Sequence, residues 1–254
     1  MVEWALGLGA VVVVGLVAVC VRQRTRLAEL SARLEGAAGD LERLQESCSR
    51  FAPSTVVDRL LTDGPAAAAV RKEVTALFAD VVGYTTLAEQ LDPPVLARVL
   101  NGYYQRMSDA IAQHSGHVST FIGDGILAYF GAFEPNPWQS DDAVRAAMAM
   151  RHALADYNKE LAAEGLAPLA IGIGLNRGTV LAGLVGTRER MEYACIGRTV
   201  NVAARVQTLT RTHQTDILIT DAVRERLDPT FTLMPQPATP IKGIAEPIVT
   251  FAVV

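Results

Sequence analysis

The hydrophobic residues of this chain form three kinds of pattern along the sequence. The first is an unbroken apolar run. Residues 4–21 are all apolar or glycine, which is close to the roughly 20 residues that a helix needs to cross a bilayer. Arg22, Arg24 and Arg26 follow directly, and basic residues beside a span favour the cytoplasmic side. We therefore predict a transmembrane anchor over residues 1–22, in contact with lipid through residues 4–21. We expect it in the inner or plasma membrane, with the remaining chain in the cytoplasm.

A cleaved signal peptide is the competing interpretation of this run. It fits poorly, because no basic region precedes the run and no A-x-A cleavage site follows it. A lipoprotein signal would need a small residue before Cys20, where Val19 stands.

The second pattern is a repeat of seven, which is typical of a coiled coil. Its two series are Leu27, Leu34, Leu41 and Cys48 and, offset by three, Leu30, Ala37, Leu44 and Phe51. We predict a parallel dimeric coiled coil over residues 23–51, although Gly36 and Gly39 weaken the helix. A solvated amphipathic helix is the alternative. Residues 52–70 form a coupling segment before the main domain, residues 71–254.

The third pattern covers the main domain, which mixes short apolar runs with amphipathic stretches. The first half predicts a strand at Val74–Val81 and then a helix that the capping box Thr86-x-x-Glu89 opens. This helix is interrupted at Pro93 and ends before Gly116. Two further strands are predicted at His117–Phe121 and Ile126–Phe130. The second half predicts a helix from Ser140 to Ala163, strands at Leu169–Leu175, Thr179–Val185 and Met191–Ile196, a helix at Thr199–Thr210, and short strands near Ile217 and Val249. Strands joined by hairpins and mixed with helices indicate an α+β domain with a mainly antiparallel sheet.

Charge and cysteine content narrow the function classes. The formal net charge of −4 gives no basis for nucleic-acid binding. Three cysteines, Cys20, Cys48 and Cys195, share no metal-ligand spacing, and an odd, sparse set fits a reducing compartment. The phosphate-loop, zinc-protease and serine-hydrolase motifs are absent from the sequence.

Two aspartates stand at positions where a carboxylate is costly. Asp80 ends an apolar strand, and Asp124 lies in the tight turn Gly123-Asp124-Gly125 between two apolar strands. Brought side by side, two carboxylates would repel one another unless a divalent cation lay between them. Taken singly, each aspartate can also be an ordinary turn residue.

Asn201 and Arg205 form a second pair, four residues apart on one helix face. Their neighbours are small and apolar, so we expect that face to be packed and the two polar groups to need partners. The alternative is a buried arginine that pairs with a core carboxylate.

Three segments in register resemble the catalytic domain of class III adenylyl and guanylyl cyclases. They are Leu77 to Thr85, Phe121 to Gly125 and Tyr193 to Arg205, and the resemblance covers residues 70–254. It implies a ferredoxin-like core that works as a head-to-tail homodimer with its active sites at the interface. The heptad, found independently, supplies the dimer. Residues 50–61 are similar to the coupling segment that often precedes such domains.

The resemblance also implies residue roles. Asp80, Asp124 and the Val81 carbonyl would hold two divalent ions, Mg²⁺ or Mn²⁺. Asn201 and Arg205, from the partner subunit, would orient the ribose and stabilise the transition state. Nucleotide phosphates would be bound by Lys242 and by the amides that follow Asp80, at Val82, Gly83, Tyr84 and Thr85.

Base recognition departs from the family pattern. Thr120 and Ala194 stand where adenylyl cyclases usually carry Lys and Asp or Thr, and where guanylyl cyclases carry Glu and Cys. Cys195 is one residue out of register and would face the opposite side of its strand, and Arg198 replaces an acid common in relatives. The predicted function is an adenylate cyclase that forms 3′,5′-cyclic AMP and pyrophosphate from ATP. The alternatives are a guanylate or dual-purine cyclase and a weakly active nucleotide-binding module that signals through the membrane helix.

Overall fold

The computed structural model describes residues 22–27, 29–43, 69–187, 191–241 and 246–254. The chain divides into two units, Met1–Thr62 and Asp63–Val254. The predicted anchor at residues 4–21 and most of the coupling segment lie outside the described residues. Among the helices that are described, none has the length and apolar character needed to cross a membrane.

In the first unit, residues 22–27 and 29–43 are helical, as predicted. Four leucines of the heptad, Leu27, Leu30, Leu34 and Leu41, leave 56–70% of their surface exposed. A row of exposed leucines on one helix is an apolar stripe that would gain free energy from a covering surface. The pairing of two such helices stays a prediction.

The second unit is built on one sheet of eight strands. They are β1 (Val70–Val81), β2 (Gly116–Ile122), β3 (Gly125–Phe130), β4 (Ile171–Gly186), β5 (Met191–Ile196), β6 (Ile217–Thr220), β7 (Leu233–Pro235) and β8 (Thr250–Val253). The order is β2-β3-β1-β4-β6-β8-β7, and β5 pairs with β4. Among these strands, β4 and β6 form a parallel pair and the other pairs are antiparallel. The predicted α+β class with a mainly antiparallel sheet is confirmed.

The described part of this unit also contains five helices: α1 (Tyr84–Gln90), α2 (Pro93–Gln113), α3 (Gln139–Ala163), α4 (Arg198–His213) and α5 (Asp221–Arg224). The main core joins apolar side chains of α2 and α3 to alternate residues of β1, β3 and β4, among them Leu77 and Ile173. Because successive strand residues face opposite sides, Gly172 and Gly174 face the other side of β4. There an added Cβ on Gly174 would lie 2.1 Å from the backbone N of Gln207, so α4 packs directly on the strand backbone.

Helix α1, the first helix of the second unit, begins earlier than predicted. It starts at Tyr84, because Gly83 takes a left-handed conformation with φ 74° and turns the chain straight from β1 into α1. Thr86 therefore lies inside the helix, and no side-chain hydrogen bond caps its N-terminus, so the predicted capping box is wrong.

The two strands predicted at residues 169–175 and 179–185 are one continuous strand, β4. Its polar centre stays paired with β1, through Ala76 opposite Asn176 and Thr75 opposite Arg177. Arg177 is accommodated in the sheet because its guanidinium contacts the Glu73 carboxylate at 3.1 Å and Ser140 Oγ at 3.2 Å. The polar interruption in the sequence is satisfied by neighbouring side chains instead of by a turn.

Two short elements, α5 and β7, were not predicted. The α3, β5 and α4 predictions are confirmed within a few residues, as are the strands near Ile217 and Val249.

Candidate active site

Asp80 and Asp124 come together at one edge of the sheet. Antiparallel pairing of β1 with β3 sets Ala79 opposite Ile126, so the end of β1 lies beside the hairpin that carries Asp124. The backbone N–H of Val81 donates a hydrogen bond to Asp124 Oδ2 at 3.2 Å. The predicted juxtaposition of the two carboxylates is therefore present in the fold of a single chain.

This arrangement raises the pKa of Asp80 from the usual 3.8 to about 6. The largest cause is burial, followed by a hydrogen bond to Asp124 and repulsion from its charge. Arg211, in the last turn of α4, acts in the opposite direction, since its Nη2 lies 3.4 Å from Asp80 Oδ2. The two carboxylates are thus an electrostatically unfavourable pair that a cation relieves.

The hairpin is shaped to approach Asp80 closely. An added Cβ on Gly125 would lie 3.5 Å from Asp80 Oδ1, and Gly123 adopts φ 61°. The Tyr104 hydroxyl, on α2, donates to the Gly123 carbonyl, and its ring lies 4.5 Å from that of Phe121. Tyr104 therefore helps to hold the turn from outside, a role that its position in a helical sequence did not reveal.

Asn201 and Arg205 lie on the same cavity as Asp80. The cavity has a volume of about 790 Å³ and is lined by Phe78, Asp80, Ile122, Gly125, Arg198, Asn201, Val202, Ala204, Arg205, Gln207 and Thr208. One chain alone thus brings the Asp80 carboxylate onto the same cavity as the Asn201 amide and the Arg205 guanidinium. The assignment of Asn201 and Arg205 to the partner's site stays a prediction.

The expectation that the face of Asn201 and Arg205 is packed was wrong. Both residues are exposed, because α4 faces the sheet with Ala203 and Val206 on its opposite side. The alternative of a buried arginine paired with a core carboxylate is excluded by the same exposure. Arg205 instead presents its charge to the cavity.

In the segment that we predicted to bind phosphate, residues 82–85, one backbone amide is already engaged. The N–H of Val82 donates to the Ala170 carbonyl at 2.8 Å, so this amide is already engaged, contrary to expectation. Gly83, Tyr84 and Thr85 form the turn and the first residues of α1. Lys242 lies outside the described residues.

The two positions predicted to contact the base, Thr120 and Ala194, lie on different strands. Thr120 is half-buried on β2 opposite Leu127, and Ala194 lies on β5 opposite Gly183. Cys195 is buried, and burial raises the pKa of its thiol to about 12. Because β5 is a regular strand, Cys195 faces the side opposite to Ala194, as the sequence register indicated.

Gln207 is a cavity residue that sequence reasoning missed. It is 97% buried, and its Nε2 has no hydrogen-bond partner among the described residues. Nε2 would lie 3.1 Å from a Cβ on Gly172, the residue opposite Asp80 in the sheet. Its position directly after the buried Val206 was the available signal.

The donor set suits a hard divalent cation. Within the described residues no group of three or more His, Cys, Asp or Glu side chains converges. Two carboxylates leave room for water or phosphate oxygens, which is the pattern that Mg²⁺ and Mn²⁺ accept. Burial and the neighbouring Asp124 raise the pKa of Asp80, and a cation bound between the two carboxylates would offset both effects.

We expect Asp80→Asn to stabilise the metal-free domain at pH 7 by about 1–2 kcal/mol, because it removes a disfavoured carboxylate. A carboxyl with a raised pKa destabilises the fold when ionised, so wild type loses stability as pH rises from 3.8 through about 6. The gain should therefore vanish near pH 4. Urea unfolding in EDTA at both pH values measures it.

The matched control is Asp216→Asn. Asp216 accepts two hydrogen bonds from Arg151, at 2.6 and 2.8 Å, so its loss should destabilise the domain. If Asp80→Asn destabilised the domain to a similar extent at pH 7, the two carboxylates would not be in conflict.

Comparisons with known proteins agree with this geometry. An adenylate cyclase from Anabaena cylindrica is 35% identical over 211 residues, which cover 80% of this chain and 41% of that protein. The chain thus spans less than half the length of this curated relative. Among solved structures, the guanylyl cyclase Cya2 superimposes with a TM-score of 0.69 and 32% identity, over 73% of this chain and 93% of its own. The adenylyl cyclase CyaB from P. aeruginosa has a TM-score of 0.69 and 29% identity, over 73% of this chain and 95% of its own.

The family described as "Adenylate and Guanylate cyclase catalytic domain" matches residues 67–254, which is most of the chain. The matched segment begins close to β1 and includes the hairpin of Asp124 and the helix of Asn201 and Arg205. With the paired carboxylates and the cavity in place, the sequence match and the fold lead to one assignment: the chain belongs to the adenylate and guanylate cyclase catalytic domain family.

Proposed function

We propose that this protein is an adenylate cyclase that converts ATP to 3′,5′-cyclic AMP and pyrophosphate at the interface of a homodimer. The observation that carries the proposal is the cavity onto which Asp80, Asn201 and Arg205 all open. The cavity combines the carboxylate of Asp80, which lies beside Asp124, with the guanidinium of Arg205. The carboxylates suit cations and the guanidinium suits phosphate. The adenylate cyclases among its relatives add support.

The acidic side of the cavity would bind the divalent ions. Asp80, Asp124 and the Val81 carbonyl would hold them, and bound ions would lower the pKa of the ribose hydroxyl and offset triphosphate charge. Part of this arrangement is preorganised, because the hydrogen bond from the Val81 N–H orients Asp124 before an ion binds.

The basic side of the cavity would act on the transferred phosphoryl group. Arg205 is exposed to the cavity and stays charged at every physiological pH, so it can bind the charge that develops on the α-phosphate. Asn201, one helical turn earlier, can accept from and donate to the ribose at the same time. In a head-to-tail dimer the cavities of the two subunits would face one another, so that Asn201 and Arg205 of one subunit would act on a nucleotide held by the aspartates of the other.

The purine is proposed to be adenine. The Thr120 hydroxyl can donate or accept one hydrogen bond, whereas the Ala194 side chain can do neither. The residues that read guanine in the family are missing from both positions, and the buried Cys195 faces the wrong side. This leaves purine discrimination weak, so a guanylate or dual-purine activity is an outcome that the assay must be able to detect.

We expect the full-length chain with Mn²⁺ to form cyclic AMP from ATP faster than cyclic GMP from GTP, by less than about tenfold because few groups are placed to read the base. Asp80→Ala should reduce the rate by at least about 100-fold, because it removes a ligand of the metal pair. Both products are measured by chromatography at equal nucleotide concentration.

Equal or faster turnover of GTP would replace the adenylate assignment with a guanylate or dual one. Product formation no greater than in Asp80→Ala, together with tight ATP binding, would instead indicate a nucleotide-binding module.

Arg211 should compete with the metal for Asp80. We expect Arg211→Gln to bind Mn²⁺ about three- to tenfold more tightly without nucleotide, because a cation next to the ligand carboxylate is gone. Calorimetry at pH 8 measures this with Asp80 ionised, above its pKa of about 6.

The control is Arg98→Gln, which removes the same charge from an ion pair with Glu164 at 2.7 Å. Its Mn²⁺ affinity should match wild type. Unchanged or weaker binding in Arg211→Gln would show that Arg211 does not compete with the ion.

The dimer is proposed to form through the N-terminal helix, anchored to the membrane by residues 4–21 with the catalytic domain on the cytoplasmic side. The exposed leucines at 27, 30, 34 and 41 support this. We expect Leu34→Asp to weaken dimerisation of the detergent-solubilised full chain at least tenfold, because it sets two charges against each other in the seam.

Ala32→Asp is the matched control, since it adds the same charge off the seam, two residues earlier on the exposed helix. Sedimentation equilibrium measures both variants. Equal effects of the two substitutions, or no effect of either, would remove the leucine row as the dimer contact.

A further inference from the structure

A buried asparagine lies beneath the helix that carries Asn201 and Arg205. Asn176, at the centre of β4, is 93% buried. Its Nδ2 donates to the Thr199 carbonyl at 2.9 Å, and its Oδ1 accepts from Thr220 Oγ1 at 2.8 Å. One side chain thus links β4, the last residue of β6 and the first turn of α4.

The same turn has a second attachment to β4. Thr199 Oγ1 donates to the Thr179 carbonyl at 2.8 Å. Gly178 leaves the space for this contact, because an added Cβ there would lie 2.8 Å from Thr199 Oγ1. The residue before the helix, Gly197, offers no side-chain cap. The start of α4 is therefore held from the strand below it instead of by its own N-cap residue.

The position of α4 along β4 matters for the cavity. Asn201 and Arg205 follow Thr199 by two and six residues, which places them roughly 3 and 9 Å further along the helix axis. The glycine contacts beneath α4 are backbone packing, which limits how close the helix lies but is less directional than a hydrogen bond. Both bonds of Asn176 are directional, and the one to the Thr199 carbonyl lies at the end of the helix nearest Asn201.

We propose that Asn176 is a positioning residue for the cyclase reaction, which fixes the start of α4 and through it the places of Asn201 and Arg205. The proposal rests on the proposed function. Asn176 does not line the cavity and so acts through the helix without touching the nucleotide. Its partner Thr220 holds the amide in the orientation that donates to Thr199.

The first test compares Asn176→Ala with Asn158→Ala in the full-length chain. Asn158, on α3, also donates one bond and accepts one, both with Leu169 and both at 2.8 Å, and it is absent from the cavity lining. The two variants lose equal numbers of hydrogen bonds. Below both melting temperatures, Asn176→Ala should lose about 100-fold in kcat, as expected when a catalytic group moves by about 1 Å. Its KM for ATP should stay within about threefold of wild type, since Asp80 and Asp124 still bind the metal nucleotide.

Asn158→Ala should keep kcat within about threefold of wild type at a comparable loss of melting temperature. Equal losses of kcat in the two variants, or a change in Asn176→Ala confined to KM, would overturn the proposal.

Thr220 provides a second pair of variants in case Asn176→Ala does not fold. Thr220→Ser keeps the hydroxyl that orients the amide and should retain kcat. Thr220→Val has a similar volume without the hydroxyl and should lose about tenfold. A serine variant that lost as much as the valine variant would count against orientation of Asn176 by Thr220.

Hydrogen exchange separates this proposal from the proposed function. The amides of residues 201–205 should exchange at least tenfold faster in Asn176→Ala than in wild type, and no faster in Asn158→Ala. This result supports the anchoring of α4 whether or not the wild-type protein makes cyclic AMP. Unchanged exchange there would refute the anchoring, and a wild-type protein without cyclase activity would refute the function alone.

Discussion

The pairing of β1 with a strand on each side is the constraint on which the rest of the domain depends. Its antiparallel register with β4 runs unbroken from Val70 opposite Ala182 to Val81 opposite Ile171. The pairing with β3 aligns the end of β1 with the Asp124 hairpin. A slip of one residue would exchange the two faces of β1, putting Asp80 in the core and Ala79 at the cavity. The buried apolar face therefore determines where the carboxylate lies.

The paired carboxylates of Asp80 and Asp124 reduce the stability of the fold at this end of the sheet. Two carboxylates are held side by side although burial and mutual repulsion disfavour the charged form of one of them. Arg211 offsets part of this, and the hydrogen bond from Val81 to Asp124 offsets another part. The remaining repulsion would favour binding of a cation by the pair, since two carboxylates without it would gain less on binding.

The sequence alone identified candidate site residues where the signal lies within a few neighbouring positions. A carboxylate at the end of an apolar strand and another in a hairpin turn could be recognised singly, but their meeting was predicted only from the family resemblance. The start of α1 was misplaced because the φ of Gly83 decides it, whereas Thr86 offered a familiar capping pattern. The exposure of Arg205 was misjudged, since small neighbours indicated a packed face without saying which side of α4 meets the sheet.

Other features depend on contacts between distant parts of the chain. Arg211 meets Asp80 across 131 positions of sequence, and Asn176 meets Thr220 across 44. Neither pair has a spacing that a helix or strand period would reveal. The polar run around Asn176 even resembled a break between strands, because only the folded neighbours show that its polar groups are satisfied.

The parallel pairing of β4 with β6 has a kinetic consequence. Parallel strands cannot be joined by a tight turn, and here the connection between them contains β5 and α4. The helix with Asn201 and Arg205 is therefore part of a crossover that closes only when β6 docks. Closing a long loop before its contacts form is slow, so the cavity should be among the last parts of the domain to assemble. A nascent chain that has paired β1 with β3 but has not yet made β6 would carry the acidic pair without its basic counterpart, so the cavity would be complete only with the completed sheet.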